Sequence, residues 1–207
     1  MREKRMIGFY NFSVVLTYIG LAFSVYGMTQ ALSGNHKVAF MCLMMSGLCD
    51  MFDGKIARAM DRTEDEKRFG IQIDSLCDLV CFGAFPAIIV YSFGATGVIG
   101  NLCIILYVLA AVIRLGFFNV MEEKRQDETS ENRKQYQGLP VTSVAILLPL
   151  VYLFRNKCTF LPVLEVIILI IAILFLLNIK VKKPNKSGSI IMITCAAIIF
   201  LKVLELI

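Results

Sequence analysis

Residues 50–58 read DMFDGKIAR and residues 70–78 read GIQIDSLCD, and both stretches adjoin long apolar runs. Together they contain two pairs of aspartates, spaced three and four residues apart: Asp50 and Asp53, Asp74 and Asp78. Residues at these spacings share one face of a helix. Two antiparallel helices joined by a short connection can therefore turn the four carboxylates toward one another.

The composition places this motif in a membrane protein. The chain has 207 residues, of which 57% are hydrophobic and only 18% are charged. Apolar runs near twenty residues long are typical of transmembrane helices. Seven candidate spans follow from this criterion: 14–32, 38–49, 79–94, 98–113, 139–154, 160–179 and 189–207. The fifth is short, and Pro140 and Pro149 leave its ends open.

Positive charge predicts the orientation of the spans. With the N-terminus in the cytoplasm, the inner polar segments 2–5, 62–68, 124–134 and 180–186 hold fourteen lysines and arginines, and the outer segments hold three. Because cationic residues concentrate on the cytoplasmic side, we expect the N-terminus and both aspartate pairs to lie there. The N-terminal apolar stretch is too long for a signal peptide and is expected to be an uncleaved first helix.

The polar segments are expected to connect the spans. Residues 61–69, DRTEDEKRF, are predicted to be a solvated link, and residues 122–138 a loop. Residues 180–186, KVKKPNK, are interpreted as a topology signal that can also attract anionic lipid headgroups. The chain is thus expected to form a single transmembrane domain, residues 1–207, with a catalytic hairpin over residues 38–93.

Four clustered carboxylates predict a metal site. They repel one another unless they are protonated or bind cations, and oxygen ligands suit Mg²⁺ or Mn²⁺. Such a set can hold two ions and clamp a phosphoryl or diphosphate group. Gly54 and Gly70 allow a ligand to approach the backbone, Ala57 keeps the face after Asp53 open, and Arg58 offers a planar fork for phosphate.

The joint pattern D-x2-D-G-x2-A-R … G-x3-D-x3-D resembles the signature of the CDP-alcohol phosphotransferase family. The resemblance implies an all-α integral membrane enzyme with six core transmembrane helices, to which the last span adds a C-terminal helix. It also implies a homodimer, a cytoplasm-facing cavity, and two divalent ions held by the four aspartates. Asp78 would be the general base. The CDP-lipid would be contacted by the matching residues Gly54, Ala57, Arg58 and Gly70, with Asn11 and Thr17 as weaker counterparts.

Three further stretches resemble the phosphatidylserine synthase branch of that family. They are IDSLCDLVCFGAFPA (73–87), RLGFFNV (114–120) and YQGLPVTSVA (136–145). The branch implies two substrates: CDP-diacylglycerol, which comes from the membrane lipids, and L-serine, which comes from the cytoplasm. It implies no nucleic-acid partner. Arg114 and Asn119 are predicted to bind the serine carboxylate or a phosphate, with snorkelling of Arg114 to the interface as the alternative.

Other functions remain open at this point. A sister enzyme would use glycerol 3-phosphate or inositol phosphate as acceptor, or an ether lipid as donor. A divalent-cation transporter would also use intramembrane aspartates, but it would not need Gly54, Ala57, Arg58 and Gly70. A scaffold helix bundle would need none of these residues.

Overall fold

A computed structural model of the chain describes residues 8–10, 12–60, 62–128, 135–155, 159–182 and 186–204. Some side chains within these ranges are not described, namely those of residues 12, 13, 58, 125–128, 135–137, 180–182 and 186–192. Asn11 and the side chain of Arg58, both predicted to bind the CDP-lipid, therefore lie outside the described residues.

The described chain is built from helices, which confirms the predicted all-α class. The helices are α1 (Phe12–Leu32), α2 (His36–Arg58), α3 (Glu64–Asp78), α4 (Phe85–Ser92), α5 (Val98–Glu128), α6 (Val144–Tyr152), α7 (Phe160–Leu176) and α8 (Lys186–Val203). A π-helical segment, Leu79–Ala84, joins α3 to α4, and a 3₁₀ turn, Val141–Ser143, precedes α6. Two short antiparallel strands, β1 (Gln135–Gln137) and β2 (Lys180–Lys182), complete the elements.

Long apolar helices make the chain an integral membrane protein. Among the described residues, three helical stretches have the length and composition to cross a membrane: Val14–Leu32, Glu64–Ser92 and Val98–Lys124. Three shorter apolar helical stretches accompany them: Val141–Tyr152, Phe160–Leu176 and Ile193–Val203. The predicted span 139–154 is reduced to a 3₁₀ turn and the nine-residue α6, which contains Pro149.

Small residues let α1 and α2 pack closely. One face of α1 carries buried residues at spacings of three and four: Thr17, Gly20, Ser24, Gly27 and Ala31. A Cβ atom on Gly27 would lie 2.7 Å from the Cβ atom of Cys42 on α2. The hydroxyl of Ser24 donates a hydrogen bond of 2.9 Å to that of Ser46. Small residues allow such close backbone approach in membrane helices, and this seam runs toward the aspartates.

The connection between the two aspartate helices is shorter than predicted. Most of the expected solvated link 61–69 is helical, because α3 begins at Glu64. Thr63 caps this helix: its hydroxyl accepts from the backbone N–H of Glu66, and the Glu66 carboxylate accepts from the N–H of Thr63 at 2.9 Å. This reciprocal capping box satisfies two backbone donors that the first turn would otherwise leave unpaired.

The predicted loop 122–138 is also largely structured. Helix α5 continues to Glu128, and β1 pairs with β2 of the basic segment. Gly138 follows β1 with φ +76°, and its N–H donates to the Ile179 carbonyl at 2.7 Å. Glycine adopts this left-handed conformation at little cost. The prediction was wrong because the ribbon depends on pairing between segments more than forty residues apart in the chain.

An aromatic cluster closes the end of the bundle away from the aspartates. His36, the first residue of α2, stacks on Phe93 with ring centroids 3.8 Å apart. Phe40 stacks on Tyr152 at 4.4 Å. Since Phe40 precedes Asp50 by ten residues on one helix, the two lie about 15 Å apart along its axis.

Candidate active site

Three of the four predicted aspartates converge. Asp50 on α2 and Asp74 and Asp78 on α3 each offer a carboxylate oxygen, and these oxygens all lie within 4.8 Å of one another. Oxygens on opposite sides of a Mg²⁺ ion would be about 4.2 Å apart. The donor set therefore fits a hard divalent cation by both chemistry and spacing.

Asp53, the fourth predicted aspartate, lies apart from these three carboxylates. Among the described residues it is not part of the three-carboxylate group. Its Oδ2 atom accepts a hydrogen bond of 3.0 Å from the Thr17 hydroxyl, and the two residues are only 6% and 8% exposed. The α1–α2 seam creates this contact, because antiparallel packing brings Thr17 level with Asp53. Thr17 thus contacts a carboxylate predicted to be a metal ligand.

Three of the four aspartates, Asp50, Asp53 and Asp78, line a small cavity. Its lining combines α1, α2, α3 and the π-helical segment: Thr17, Gly20, Ser46, Cys49, Asp50, Asp53, Cys77, Asp78, Cys81 and Phe82. Gly20, Ser46, Phe82 and the three cysteines were not predicted as site residues. The three- and four-residue spacing of small residues on α1 was a signal for Gly20. The lining of the α2 and α3 walls depends on which faces of those helices meet, and sequence spacing does not reveal this.

A polar chain forms one wall of the cavity. Ser24 and Ser46 are fully or almost fully buried, their hydroxyls hydrogen-bond with each other, and the Cys81 thiol lies close to both. Cys81 follows Asp78 by three residues. These contacts connect the π-helical segment with α1 and α2. Residues on three elements therefore determine the shape of the cavity beside Asp78.

The predicted glycine positions differ in their surroundings. Gly54 and Ala57 are partly buried on α2, following Asp53 by one and four residues. Gly70 lies on α3, and a Cβ atom there would be 3.2 Å from a terminal nitrogen of Arg62. Arg62 was predicted only as part of the topology signal. Its guanidinium thus lies beside a glycine predicted to contact the CDP group.

Arg114 and Asn119 have separate partners on α5. Arg114 is 6% exposed, and its Nε donates to the Leu139 carbonyl at 3.3 Å. The Arg114 guanidinium is thus enclosed by protein. Asn119 accepts a hydrogen bond from the hydroxyl of Ser75, the neighbour of Asp74. Five residues on a helix correspond to about 140° around its axis, so the two side chains leave α5 in different directions.

Curated relatives share part of this sequence. A CDP-diacylglycerol–serine O-phosphatidyltransferase of Saccharomyces cerevisiae is 32% identical over 120 residues, 56% of this chain and 42% of the relative. One of Helicobacter pylori is 30% identical over 154 residues, 73% of this chain and 61% of the relative. The chain thus spans less than two thirds of the length of both. An archaetidylserine synthase of Methanothermobacter thermautotrophicus is 26% identical over 189 residues, 91% of this chain and 76% of the relative.

A family model covers most of the chain. The model described as CDP-alcohol phosphatidyltransferase matches residues 10–199, a range that includes all four aspartates. The match agrees with the convergence of the Asp50, Asp74 and Asp78 carboxylates. The chain therefore belongs to the CDP-alcohol phosphatidyltransferase family.

Proposed function

We propose that the protein transfers the phosphatidyl group of CDP-diacylglycerol to the hydroxyl of L-serine, giving phosphatidylserine and CMP. The observation that carries this proposal is the convergence of three carboxylates in a chain of this family. The acceptor is inferred from relatives named as serine transferases.

The proposed cofactor is a pair of divalent cations, Mg²⁺ or Mn²⁺, held by Asp50, Asp53, Asp74 and Asp78. Bound there, the ions would neutralise the diphosphate and stabilise charge on the departing CMP. The hydrogen bond from Thr17 to Asp53 would hold that carboxylate in one direction, as residues behind a metal ligand commonly do.

Asp78 is the proposed general base. Its carboxylate accepts the proton of the serine hydroxyl as that oxygen attacks the phosphorus on the lipid side of the diphosphate. The new oxygen–phosphorus bond forms as the bond to CMP breaks, and CMP leaves with the electron pair. Arg114 and Asn119 are proposed to orient the serine carboxylate or a phosphate.

Other residues are proposed to bind the CDP-lipid. Gly54, Ala57 and Gly70 would leave room beside the carboxylates, and Arg58, Asn11 and Thr17 would add polar contacts.

The positive charge of the inner segments supports a cavity and an N-terminus that face the cytoplasm. A homodimer embedded in membrane lipids is the proposed assembly.

An ether-lipid donor is the second candidate. The archaetidylserine synthase relative aligns with 91% of this chain. Serine and CMP would take the same roles in that reaction, and only the lipid bound between the helices would differ.

One assay tests the proposal directly. Purified protein with Mg²⁺ or Mn²⁺ is given a diacyl or an ether CDP-lipid, and serine, glycerol 3-phosphate or inositol phosphate is added singly. CMP release with serine and the diacyl donor is expected. Release only with glycerol 3-phosphate would refute the serine assignment. Metal flux in vesicles without CMP release under any condition would favour the transporter alternative.

Removal of the Thr17 hydroxyl is expected to weaken the site. Thr17→Val keeps the shape of the side chain but removes the donor to Asp53, and loss of such a supporting contact costs about tenfold or more in metal affinity or activity. Mn²⁺ binding measured by electron paramagnetic resonance and CMP release check this. The matched control is Thr29→Val on the same helix, whose hydroxyl is exposed and bonds the Tyr26 carbonyl. Equal Mn²⁺ affinity in the two variants would contradict the role of Thr17.

A further inference from the structure

The helix that carries Asp74 and Asp78 changes its winding directly after Asp78. Residues Leu79–Ala84 form a π-helix, and the N–H of Phe85 donates to the Val80 carbonyl five residues earlier. Pro86 follows in the first turn of α4. In an α-helix the Phe82 carbonyl would accept from the N–H of residue 86, but proline has none. The carbonyl of Phe82 therefore lacks its α-helical donor.

Tyr107 on α5 supplies a donor instead. Its side chain is completely buried, and its hydroxyl donates a hydrogen bond to the Phe82 carbonyl. One turn further along α5, Ala111 lies 3.4 Å from where a Cβ atom of Gly83 would be. The same face of α5 thus contacts two consecutive residues of the π-helical segment, and the hydroxyl bonds the backbone carbonyl whose α-helical donor is missing at Pro86.

The segment that Tyr107 contacts also shapes the cavity. Phe82 receives the Tyr107 bond on its carbonyl while it lines the cavity together with Asp78 and Cys81. A π-helical turn is wider than an α-helical one, so it changes the direction in which residues before the turn point relative to those after it. The π-helical winding of Leu79–Ala84 therefore sets the rotation of α3, and of the face that carries Asp78, relative to α4.

We propose that Tyr107 is a positioning residue for Asp78. Its hydroxyl holds the π-helical winding, and this winding sets the direction in which the Asp74–Asp78 face of α3 meets Asp50 on α2. The inference rests on the proposed function for the role of Asp78, but it concerns a residue on another helix. Such π-helical turns occur frequently at functional sites.

The first test removes only the hydroxyl. Tyr107→Phe is expected to lower kcat for CMP release at least tenfold and to weaken Mn²⁺ binding severalfold, measured below the melting temperature of the variant. Tyr152→Phe is the matched control, because Tyr152 is also buried but lies in the aromatic cluster at the other end of the bundle. The control is expected to keep wild-type kcat and Mn²⁺ affinity.

A second variant separates positioning from stability. Pro86→Ala restores an N–H that can bond the Phe82 carbonyl with α-helical winding. Combined with Tyr107→Phe, it is expected to recover thermal stability without recovering kcat or Mn²⁺ affinity, because Asp78 then points elsewhere. Recovery of all three quantities would show that Tyr107 acts only through stability.

The outcomes distinguish this inference from the proposed function. Wild-type kcat and Mn²⁺ affinity in Tyr107→Phe, with a lowered melting temperature, would overturn the positioning role. A wild-type protein that binds Mn²⁺ but releases no CMP with serine would refute the acceptor. The comparison of Mn²⁺ affinities between Tyr107→Phe and wild type would still test Tyr107.

Discussion

Replacement of Asp78 by asparagine is expected to abolish measurable turnover while CDP-diacylglycerol binding is largely retained. Asparagine keeps the size of the side chain but cannot accept the serine proton, and loss of a general base costs about 10²–10⁴-fold in rate. CMP release gives the rate, and equilibrium binding of the CDP-lipid to protein in detergent gives the affinity. Normal turnover in this variant would show that Asp78 is not the base.

A comparison with Asp50 separates the base from a metal ligand. Asp50 belongs to the same three-carboxylate group. Asp50→Asn is expected to lose activity through weaker metal binding, so a higher Mn²⁺ concentration should restore part of it. The same Mn²⁺ concentration should not restore Asp78→Asn. Asp65→Asn, an exposed carboxylate in the first turn of α3, is the control and should remain active.

Addition of one methyl group at Gly27 is expected to destabilise the protein strongly. A Cβ atom there would lie 2.3 Å from the ring of Phe85 and 2.7 Å from the Cβ atom of Cys42. Phe85 is completely buried, so its ring cannot move aside without disturbing the packing of α4. Overpacking of this kind costs about 1–3 kcal/mol. Thermal unfolding in detergent measures the effect as a lowered melting temperature for Gly27→Ala.

Gly116→Ala is the matched control for this experiment. Gly116 also lies in a helix, α5, but it is exposed and no atom lies within 4 Å of the added Cβ. Alanine favours a helix over glycine by about 1 kcal/mol, so this variant should be as stable as wild type or more so. Equal destabilisation by both substitutions would contradict the close packing of α1 against α2 and α4.

Local spacing explains the correct predictions. The all-α class followed from apolar runs, and the resemblance to the CDP-alcohol phosphotransferase family is confirmed by the match over residues 10–199. The convergence of Asp50, Asp74 and Asp78 followed from helical periodicity. The individual roles of the predicted site residues remain proposals, as do the orientation, the ion pair and the dimer.

The errors share a physical cause. Residues 64–69 are polar and were predicted to be a solvated link, yet a capping box at Thr63 starts α3 there. Residues 135–137 became a strand because residues 180–182 pair with them. Composition distinguishes apolar from polar stretches, but it does not show which polar stretches find hydrogen-bond partners.

By itself, the sequence determined that this is a helical membrane protein with four aspartates on two neighbouring helices, because hydropathy and helical spacing are local properties. Only the tertiary structure decided that Thr17 bonds Asp53, that Ser24 bonds Ser46, and that Tyr107 bonds the Phe82 carbonyl. Those contacts join residues far apart in the chain. They depend on which helix faces meet, and that is decided by how closely small residues allow the backbones to approach.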